Sequence, residues 1–592
     1  MINLAYMITD GKPSITTIKN FLGLNMNETG ETQLKLGEAS LIKNFRITKD
    51  YKLEKMYGYV EEYETNARVR ANWVGKLNDT EMNVYVANGK AYKDGTQLGT
   101  LTNAETTIFE FNKVLYFMNG TEIKQYDGST FGNISPYVPM IKIACTPAGV
   151  GDDYEPINLL TDYRKVSFSA DGTATVFTLP EKDITLFTGN VWINGTVVTE
   201  GVQYNSANGT VTITPAPAQG TDNVVIQYKK NNVAASVAQN ITKNRYVQTY
   251  GLADDTRVFV YGNPNAKNRI YFSDLGSGVP NPTYFPANNF IDVGSSNTAI
   301  TDISRQYDRL IISKENETYY MTYDTITDST GATIITFPTS PLNKSHGMLA
   351  NAQGQVLDNY VTTIDNSGIV QWLNTQSKDE RNATIISDRV KEWLQDRDIT
   401  KAVTLDYQEE KEYWLAIDKD VLVYNYANST FYTLEIPDYV RTLTTYEGNI
   451  YMGTDTGVMK WQKTTTTYNT ETINAEWQGG FYDFEREYKR KTMRILWIAL
   501  KPAVRTSLKI NYISDRNIGS TDKVIEQKLF SYPYWNYADY SYQTNNTVKP
   551  FKIKLKAKKF AFLKLILKND DVYTELIVDS ISIQKAYGGF VK

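Results

Sequence analysis

The feature that most constrains this chain is a tight turn that recurs between strand-like runs. Six stretches combine an apolar, β-favouring run with an Asn-Gly or Asp-containing turn and a second such run: residues 84–92, 114–120, 310–319, 361–369, 414–421 and 450–458. A strand pair closed by such a turn and recurring along a chain indicates one repeated supersecondary unit. The sequence therefore predicts an all-β fold built on a β-propeller of about six to seven blades.

Composition agrees with a large β protein. The chain has 43 Tyr, 22 Phe and 9 Trp, and aromatic side chains favour strands and interfaces. A length of 592 residues exceeds what one hydrophobic core serves, so several domains or a repeat array are expected. No run of about eighteen apolar residues occurs, and residues 1–5 lack the pattern of a secretion signal. We expect no membrane span and assembly in a cytoplasm.

The residue types that carry most catalytic chemistry are scarce. The chain has one cysteine, Cys145, and one histidine, His346. An intrachain disulfide and a Cys/His zinc cluster are therefore excluded, and a Ser-His-Asp triad would depend on His346 alone. We interpret His346 as a loop residue between blades and Cys145 as a small core side chain. The sequence predicts a protein that is not an enzyme and needs no cofactor.

Turn signals divide the chain into four parts. Residues 1–65 have few hairpin signals and are predicted to be an extended lead-in that lies against other elements. The propeller comprises residues 66–157 and 231–465. Residues 158–230 show alternating strands with closely spaced turns, typical of a small β-sandwich inserted at a loop tip. Residues 466–592 are predicted to form a C-terminal basic β-sandwich.

One good helix candidate covers residues 387–394. Ser387 or Asp388 can cap its first turn, and Val390, Trp393 and Leu394 fall on one face. A Trp-Leu pair at this spacing is typical of a packing anchor, so we expect the helix to pack and not to bind a ligand.

Charge is divided unevenly along the chain. Residues 485–592 hold 21 Lys and Arg against 10 Asp and Glu, whereas the whole chain holds 62 and 66. Within this part, residues 551–558 alternate strictly, which predicts one strand with four lysines on one face and apolar residues in the core. Further strands are expected at 493–500, 508–513, 562–567 and 576–583. The candidate interface residues of this strand are Lys552, Lys554, Lys556 and Lys558.

A Tyr-rich stretch interrupts the C-terminal strands at residues 532–542. It is too polar for a core and too aromatic for a free loop, and such loops pack on partners. Its candidate interface residues are Tyr532, Tyr534, Trp535, Tyr537, Tyr540 and Tyr542. The four lysines could instead be merely solvated, in which case this loop is the better interface candidate.

Several stretches resemble the propeller-containing nozzle, neck or stabilisation proteins of tailed bacteriophages. They are residues 257–274 (RVFVYGNPNAKNRIYFSD), 282–286 (PTYFP), 289–293 (NFIDV), the helix at Ser387, and the lead-in 37–45 (GEASLIKNF). The opening of the insert, residues 168–177, is similar to small adhesin-like modules of phage tail and fibre proteins. The resemblance covers roughly residues 35–460 and includes no catalytic signature.

This resemblance implies a virion component. Such proteins form a ring of subunits, commonly six, below the portal, and the ring extends or seals the channel through which DNA leaves the capsid. The implied partners are other copies of the chain, the portal or adaptor, other tail or fibre proteins, and DNA that passes without sequence-specific binding. The implied location is the neck or tail of the virion, after assembly in the bacterial cytoplasm. An acidic first part would suit a conduit, because it does not trap DNA.

Two other functions stay open at this point. A glycan-binding or receptor-binding tail protein would also be aromatic and β-rich, with Trp192 and Tyr204 of the insert as candidate contacts, although both could belong to the sandwich core. A propeller glycosidase would need two carboxylates about 5–10 Å apart in a central pocket. We interpret Asp365, Asp418 and Asp455 as turn residues. A glycan array tests the first alternative, and polysaccharide hydrolysis tests the second.

Overall fold

The computed structural model describes residues 12–26, 32, 34–252, 254–327, 333–373, 382–516, 518, 522–530, 532, 547–572 and 576–591. Over these residues the chain is almost entirely β-structure, so the predicted all-β class is confirmed. The described helices are short: Ser236–Thr242, Asp388–Val390, Lys391–Gln395 and Ile399–Lys401. Not one helix in these ranges combines the length and the apolar character that crossing a bilayer requires.

Seven four-stranded antiparallel units, called sheets 1 to 7 in chain order, repeat along the described chain. Five are separate sheets, whereas sheet 6 is part of a ten-stranded sheet and sheet 7 is part of a six-stranded one. Sheet 1 comprises Val69–Leu77, Thr80–Ala87, Lys90–Lys93 and Thr96–Thr100. Sheet 2 comprises Thr107–Phe111, Val114–Met118, Ile123–Tyr126 and Phe131–Asn133. Sheet 3 comprises Tyr246–Leu252, Asp255–Tyr261, Arg269–Phe272 and Phe290–Asp292. Sheet 4 comprises Ile300–Gln306, Arg309–Lys314, Thr318–Thr322 and Thr339–Asn343. Sheet 5 comprises Gln355–Leu357, Tyr360–Asp365, Gly368–Trp372 and Ala383–Ile385. Sheet 6 comprises Val403–Tyr407, Glu412–Ile417, Asp420–Asn425 and Thr430–Glu435.

Sheet 7 takes its fourth strand from the other end of the chain. Its first three strands are Thr442–Tyr446, Asn449–Gly453 and Gly457–Trp461, and the last of these pairs antiparallel with Tyr59–Glu64. The first strand of each sheet contacts the first strand of the next, and the first strand of sheet 7 contacts that of sheet 1. The architecture is propeller-like.

Local turn chemistry explains the hairpins. Asn88 and Gly89 join the second and third strands of sheet 1 with φ of 50° and 69°. Both central residues of a two-residue hairpin turn of type I′ need positive φ, which Asn and Gly adopt at least cost. The Asn-Gly signal in the sequence therefore marks a real turn. Two-stranded hairpins also extend from sheets 3 and 4, at Asp274–Gly276 with Val279–Asn281 and at Asp324–Thr327 with Thr333–Thr336.

The insert between sheets 2 and 3 begins earlier than the predicted boundary at residue 158. Its larger sheet comprises Asp152–Asp153, Met140–Cys145, Tyr163–Phe168, Val224–Lys230, Val191–Ile193, Thr196–Val197 and Ile184–Thr185. Its smaller sheet comprises Val176–Thr178, Thr210–Ile213 and Val202–Asn205. Met140–Cys145 pairs in parallel with Tyr163–Phe168, and a parallel partner carries no hairpin signal. Buried Cys145 belongs to the separate apolar core of the insert, as expected for a small core side chain.

A segment within the insert returns to the sheet framework. Asn158 is 3% exposed, and its Nδ2 donates to Tyr137 O and Thr283 O, both at 2.8 Å. Its Oδ1 accepts from Phe285 N at 3.0 Å. The insert is therefore attached by a fully bonded amide as well as by its two covalent connections.

The two ends of the chain build one unit, called here the terminal unit. One sheet comprises Phe45–Ile47, Leu53–Lys55, Ile577–Phe590, Lys489–Leu500, Lys549–Ile553, Ser14–Ile18 and Ala557–Phe560. The other comprises Gly23–Leu24, Glu38–Lys43, Ala475–Gly479, Leu563–Asn569, Arg505–Ser514 and Lys523–Lys528, and it continues into sheet 6. Two further short strands, Thr467–Tyr468 and Glu471–Thr472, extend sheet 7. The lead-in is thus part of the C-terminal sheets, and a single hydrophobic cluster runs through both.

The predicted helix lies where expected, but its predicted caps are wrong. Asp388–Val390 is a 3₁₀ turn followed by the α-helix Lys391–Gln395. Val390, Trp393 and Leu394 are all buried, which confirms the packing face. Neither Ser387 nor Asp388 makes a side-chain cap. Ser387 Oγ instead accepts a hydrogen bond from Ile369 N in sheet 5 at 2.8 Å, and Asp388 lies inside the 3₁₀ turn.

Candidate functional site

The four candidate lysines lie at an edge of the terminal unit. Lys552, Lys554, Lys556 and Lys558 are all exposed, while Ile553, Leu555 and Ala557 are buried and Phe551 is half-buried. The predicted alternation is therefore present, although the single predicted strand is split into Lys549–Ile553 and Ala557–Phe560. Residues 554–556 leave the ladder and keep Leu555 inside.

This edge has no neighbouring strand on its outer side within the described chain. Lys549–Ile553 is the terminal strand of its sheet and pairs only with Lys489–Leu500. Over the described ranges, none of the four lysines forms an ion pair. We call these four lysines the basic edge. Exposed lysine on an edge strand also discourages uncontrolled strand pairing.

The Tyr-rich stretch lies mostly outside the described residues. Tyr532 is described and is 78% exposed. Tyr534, Trp535, Tyr537, Tyr540 and Tyr542 fall outside the described ranges. Their role as an interface stays a prediction.

The two aromatic candidates in the insert lie on different sheets. Trp192 pairs with Val225 and Val197 on the larger sheet, between the inward-facing Val191 and Ile193. Tyr204 lies on an edge strand of the smaller sheet and is 43% exposed. Neither belongs to the core cluster of the insert. The structure does not bring them together as one contact surface.

The single histidine forms part of a loop. His346 follows the last strand of sheet 4, and its Nδ1 lies 2.8 Å from Asp365 Oδ2. Asp365 Oδ1 accepts from Ser367 N at 2.7 Å, which is the predicted turn-stabilising bond. Asp455 pairs with Arg441 at 2.8 Å. Asp418 has a φ of 56°, as a turn residue does. These carboxylates serve turns and ion pairs.

A cavity of about 540 Å³ lies among the first strands of sheets 3 to 7. Asp302 lines it and is 3% exposed, and burial raises the pKa of its carboxyl to about 6. Its oxygens accept from Ser304 Oγ at 2.6 Å and from Gly354 N at 3.0 Å. Gln355 Nε2 donates to Thr404 O at 3.3 Å. The hydrogen-bonding capacity of these polar groups is therefore used within the lining itself. Across the described ranges, no group of three or more His, Cys, Asp or Glu could hold a metal ion.

The lead-in motif 37–45 contains a hub that sequence reasoning missed. Asn44 is 2% exposed and has a φ of 55°. Its Nδ2 donates to Asn474 O at 2.9 Å. Its Oδ1 accepts from Glu435 N at 2.9 Å and from Tyr468 OH at 3.0 Å. One side chain thus ties the lead-in to sheet 6, to the strand beside sheet 7 and to the start of the C-terminal part. No local pattern reveals partners about 390 to 430 residues away.

A second unpredicted connection is Arg46, which is 5% exposed. Its Nη2 lies 2.9 Å from Glu410 Oε2 and 3.1 Å from Glu412 Oε1, and its Nε lies 3.8 Å from Glu54 Oε2. Glu412 is fully buried in sheet 6. The lead-in therefore neutralises a carboxylate that sheet 6 alone would leave unpaired.

Two buried lysines make the terminal unit sensitive to pH. Lys491 is 0% exposed and donates to Ala561 O at 2.9 Å, and Lys585 is 5% exposed and donates to Thr16 Oγ1 at 2.6 Å. Burial lowers the pKa of each to about 8 from an ordinary value of 10.5. Below pH 8 both folded and unfolded chains are protonated, and the burial penalty is fully present. Between these pKa values only the unfolded chain holds the extra protons, so stability rises with pH.

We therefore expect loss of the burial penalty at these two lysines to raise the apparent Tm of the protein as pH rises from about 7.5 to about 9.5. The variant K491M/K585M should lack this gain, because neither side chain titrates. Thermal melts of both proteins across that range provide the measurement, and the difference between the two curves removes the effect of other groups. Parallel curves for the two proteins would contradict the prediction.

Comparisons with known proteins show only distant likeness. No protein-family model and no curated protein matches the chain. Among solved structures, BamB from Moraxella catarrhalis is similar at 12% identity and a TM-score of 0.30, over 66% of this chain and 96% of that one. A gluconolactonase from Xanthomonas campestris is similar at 10% identity and a TM-score of 0.24, over 72% and 98%.

An exo-β-1,3-galactanase from Phanerochaete chrysosporium is similar at 9% identity and a TM-score of 0.17, over 83% of this chain and 97% of that one. At such scores none of these likenesses bears on function. The class defined by the sheets of the chain itself is an all-β, propeller-like protein with sandwich-like additions.

Proposed function

We propose that this chain is a structural subunit of a tailed bacteriophage virion: a seven-bladed β-propeller that assembles into a ring of six copies in the neck or tail nozzle. The ring extends or seals the DNA exit channel. Seven four-stranded units, with their first strands in consecutive contact, support the propeller. The strand Tyr59–Glu64, which completes sheet 7, supports a closed propeller in this proposal.

The observation that carries the proposal is the position of the lead-in motif. Residues 37–45 resemble the phage proteins in sequence, and in this fold Asn44 of that motif joins sheet 6, the strand beside sheet 7 and the C-terminal part. The segment that resembles the phage proteins is thus the segment that fixes the terminal unit to the sheets. Parts held in one relative orientation suit a subunit of a closed ring, since symmetric closure needs a constant contact angle.

A second stretch that resembles the phage proteins, residues 257–274, contributes two strands to sheet 3. Arg257 opens the motif 257–274, and its guanidinium lies 2.9 Å from Asp255 Oδ1 and 2.8 Å from Asp274 Oδ1. Phe272 of the same motif lies beneath it at 5.9 Å. These contacts hold Arg257 within sheet 3, which suits a structural role for the motif.

The proposed partners are further copies of the chain, the portal or adaptor, and other tail or fibre proteins. DNA passes without sequence-specific binding, and the subunits assemble in the bacterial cytoplasm before joining the virion. The subunit has no catalytic role in this proposal. The carboxylates of Asp365 and Asp455, which a propeller glycosidase would need, are bonded to Ser367 N and to Arg441.

Negative-stain electron microscopy and mass photometry of the purified chain test this function. We expect six-membered rings that become more populated as protein concentration rises. Mass spectrometry of purified particles from cells that carry the gene should find the chain in the virion fraction. A protein that stays monomeric at every concentration and is absent from particles, or one that hydrolyses a polysaccharide, would overturn the proposal.

A further inference from the structure

The basic edge belongs to a stretch of the terminal unit that contains no acidic residue. Residues 549–569 include eight lysines and neither Asp nor Glu. Lys559, which directly follows the basic edge, is also exposed, and so is Arg494 on the strand Lys489–Leu500. Over the described ranges, no ion pair involves Lys559, Arg494 or any lysine of the basic edge. These cations therefore share one region without an ion-pair partner from the described chain.

The register of the sheet places Arg494 beside the lysines. Arg494 lies between the two positions of its strand that pair with Ile553 and with Ala557. It is therefore next to the gap in the ladder at residues 554–556. The positive charge extends from the basic edge onto the neighbouring strand.

The backbone of this stretch is held in place by contacts with its neighbours. Lys556 O accepts from Tyr512 OH at 3.4 Å, and Lys559 O accepts from Arg490 Nη1 at 3.0 Å. Leu555 is 3% exposed and belongs to the hydrophobic cluster of the terminal unit. A binding partner would therefore have to order only lysine side chains and not the chain that carries them, which lowers the entropic cost of binding.

Protection of a strand edge explains only part of this charge. Lysine on an edge strand discourages unwanted strand pairing, and Lys552 lies on the edge strand Lys549–Ile553. Lys554 and Lys556 lie outside both strands of the stretch, where there is no ladder to protect. Their charge requires another explanation.

The surroundings of the ammonium groups favour a nucleic acid over a protein partner. The exposed side chains of residues 552–559 are all lysines, because Ile553, Leu555 and Ala557 are buried. Protein interfaces depend on apolar and aromatic anchors and are depleted in lysine. The phosphate backbone of a nucleic acid is instead bound by neutralising its charges with Lys and Arg. A face that presents lysine alone fits the second kind of partner.

Duplex DNA fits this face better than a single strand does. Proteins that bind single strands stack the bases on exposed aromatic rings. Phe560 is 0% exposed, and Phe551 is half-buried with Lys549 Nζ at 5.4 Å from its ring centroid. A duplex carries one phosphate charge per about 1.7 Å of its axis, so neighbouring lysines can each reach a phosphate.

We propose that the basic edge binds the phosphate backbone of duplex DNA without sequence preference, with Lys559 and Arg494 extending the contact. Phosphate contacts position a protein on DNA and carry no sequence information directly. The setting of this contact, DNA in the exit channel, rests on the proposed function. The binding itself is a property of one chain and can be measured without the virion.

Fluorescence anisotropy of the purified chain with a labelled DNA duplex of random sequence tests the contact. We expect K552Q/K554Q/K556Q/K558Q to raise the apparent dissociation constant at least about tenfold at about 0.1 M salt. The plot of log binding constant against log salt concentration should also become less steep by about 3–4, because each phosphate contact contributes about 0.9 to that slope.

Two further variants show whether charge at this position is the cause. The set K552R/K554R/K556R/K558R keeps every positive charge and should bind the duplex like the original chain. The matched control K113Q/K182Q/K267Q/K344Q removes four exposed lysines elsewhere and should also bind normally. Equal losses in the control and in the basic-edge glutamine set would overturn the inference, because binding would then follow net charge alone.

Circular dichroism and thermal melts check the folding of every variant, and the smaller sets K552Q/K554Q and K556Q/K558Q replace the full set if it misfolds. Unchanged DNA binding by the glutamine variants would overturn the inference. If those variants were also missing from virion particles, the lysines would belong to a contact with an acidic virion protein. If the variants entered particles normally, the lysines would be a solvated edge.

The outcomes separate this inference from the proposed function. A chain that binds the duplex through the basic edge but is absent from virion particles contradicts the proposed function and leaves the DNA contact in place. A chain that is present in particles and binds the duplex equally well without the four lysines contradicts the DNA contact and leaves the proposed function in place.

Discussion

Replacing Arg46 with methionine is expected to destabilise the protein by about 3–5 kcal/mol, the usual cost of leaving one charge of a buried pair alone. Arg46 is 5% exposed and Glu412 is 0% exposed, so the carboxylate left behind has no access to water. The apparent Tm should fall, and the tryptophan near-ultraviolet signal should be lost at lower temperature. Trp414 reports on this region because its Nε1 lies 3.2 Å from Glu412 Oε2.

Two companion variants show whether charge is the cause. R46K keeps a positive charge, but a single ammonium group cannot contact several carboxylates at once as the planar guanidinium group does. It should therefore recover only part of the stability. R46M/E412Q removes both charges and should be more stable than R46M alone, because the uncompensated carboxylate is gone. The result against this explanation is independence: E412Q would then lower the free energy of unfolding of R46M by as much as it lowers that of the original chain.

Gly58→Ala is expected to be nearly as damaging, at about 3 kcal/mol or more, the upper part of the range for overpacking. Gly58 precedes the strand that closes sheet 7, and an added methyl group would overlap the main-chain carbonyl of Thr467. Gly58 N also donates to Thr465 O at 2.7 Å. Because the obstacle is backbone, the closing strand itself must shift, and less soluble protein with a lower apparent Tm should result.

Gly132→Ala is the matched control for this change. Gly132 lies on the outer strand of sheet 2, and nothing lies within 4 Å of the position where its methyl group would be. Its apparent Tm should stay close to that of the original chain. Equal losses in the two variants would show that the strand near Thr467 tolerates displacement and that closure of sheet 7 adds little stability.

The sequence predicts best what is decided locally. The Asn88-Gly89 turn, the alternation around Lys552 and the buried face of Val390, Trp393 and Leu394 each depend on residues within a few positions of one another. The structure reproduces all three. The four candidate lysines are likewise exposed, although Lys554 and Lys556 lie between two strands and not within one.

Long-range pairing could not be predicted in the same way. The insert boundary was placed too late because Met140–Cys145 joins its sheet through a parallel partner, and parallel pairing leaves no turn between the strands. Ser387 was expected to cap a helix, but its hydroxyl is taken by Ile369 of another strand. The hub at Asn44 and the ion pairs of Arg46 join residues several hundred positions apart, which no window of sequence contains.

The pairing of Ser14–Ile18 with Ile577–Phe590 has a consequence for biosynthesis. Ser14 opposes Lys585, 571 residues later in the chain. At about 5–20 residues per second, the ribosome needs roughly 30–110 s after making the first strand before its partner exists. The strand Ser14–Ile18 has no such partner on the nascent chain during that time. A polypeptide released before residue 577 lacks that partner strand and cannot complete this sheet of the terminal unit, so synthesis of the last strand is itself a checkpoint for folding.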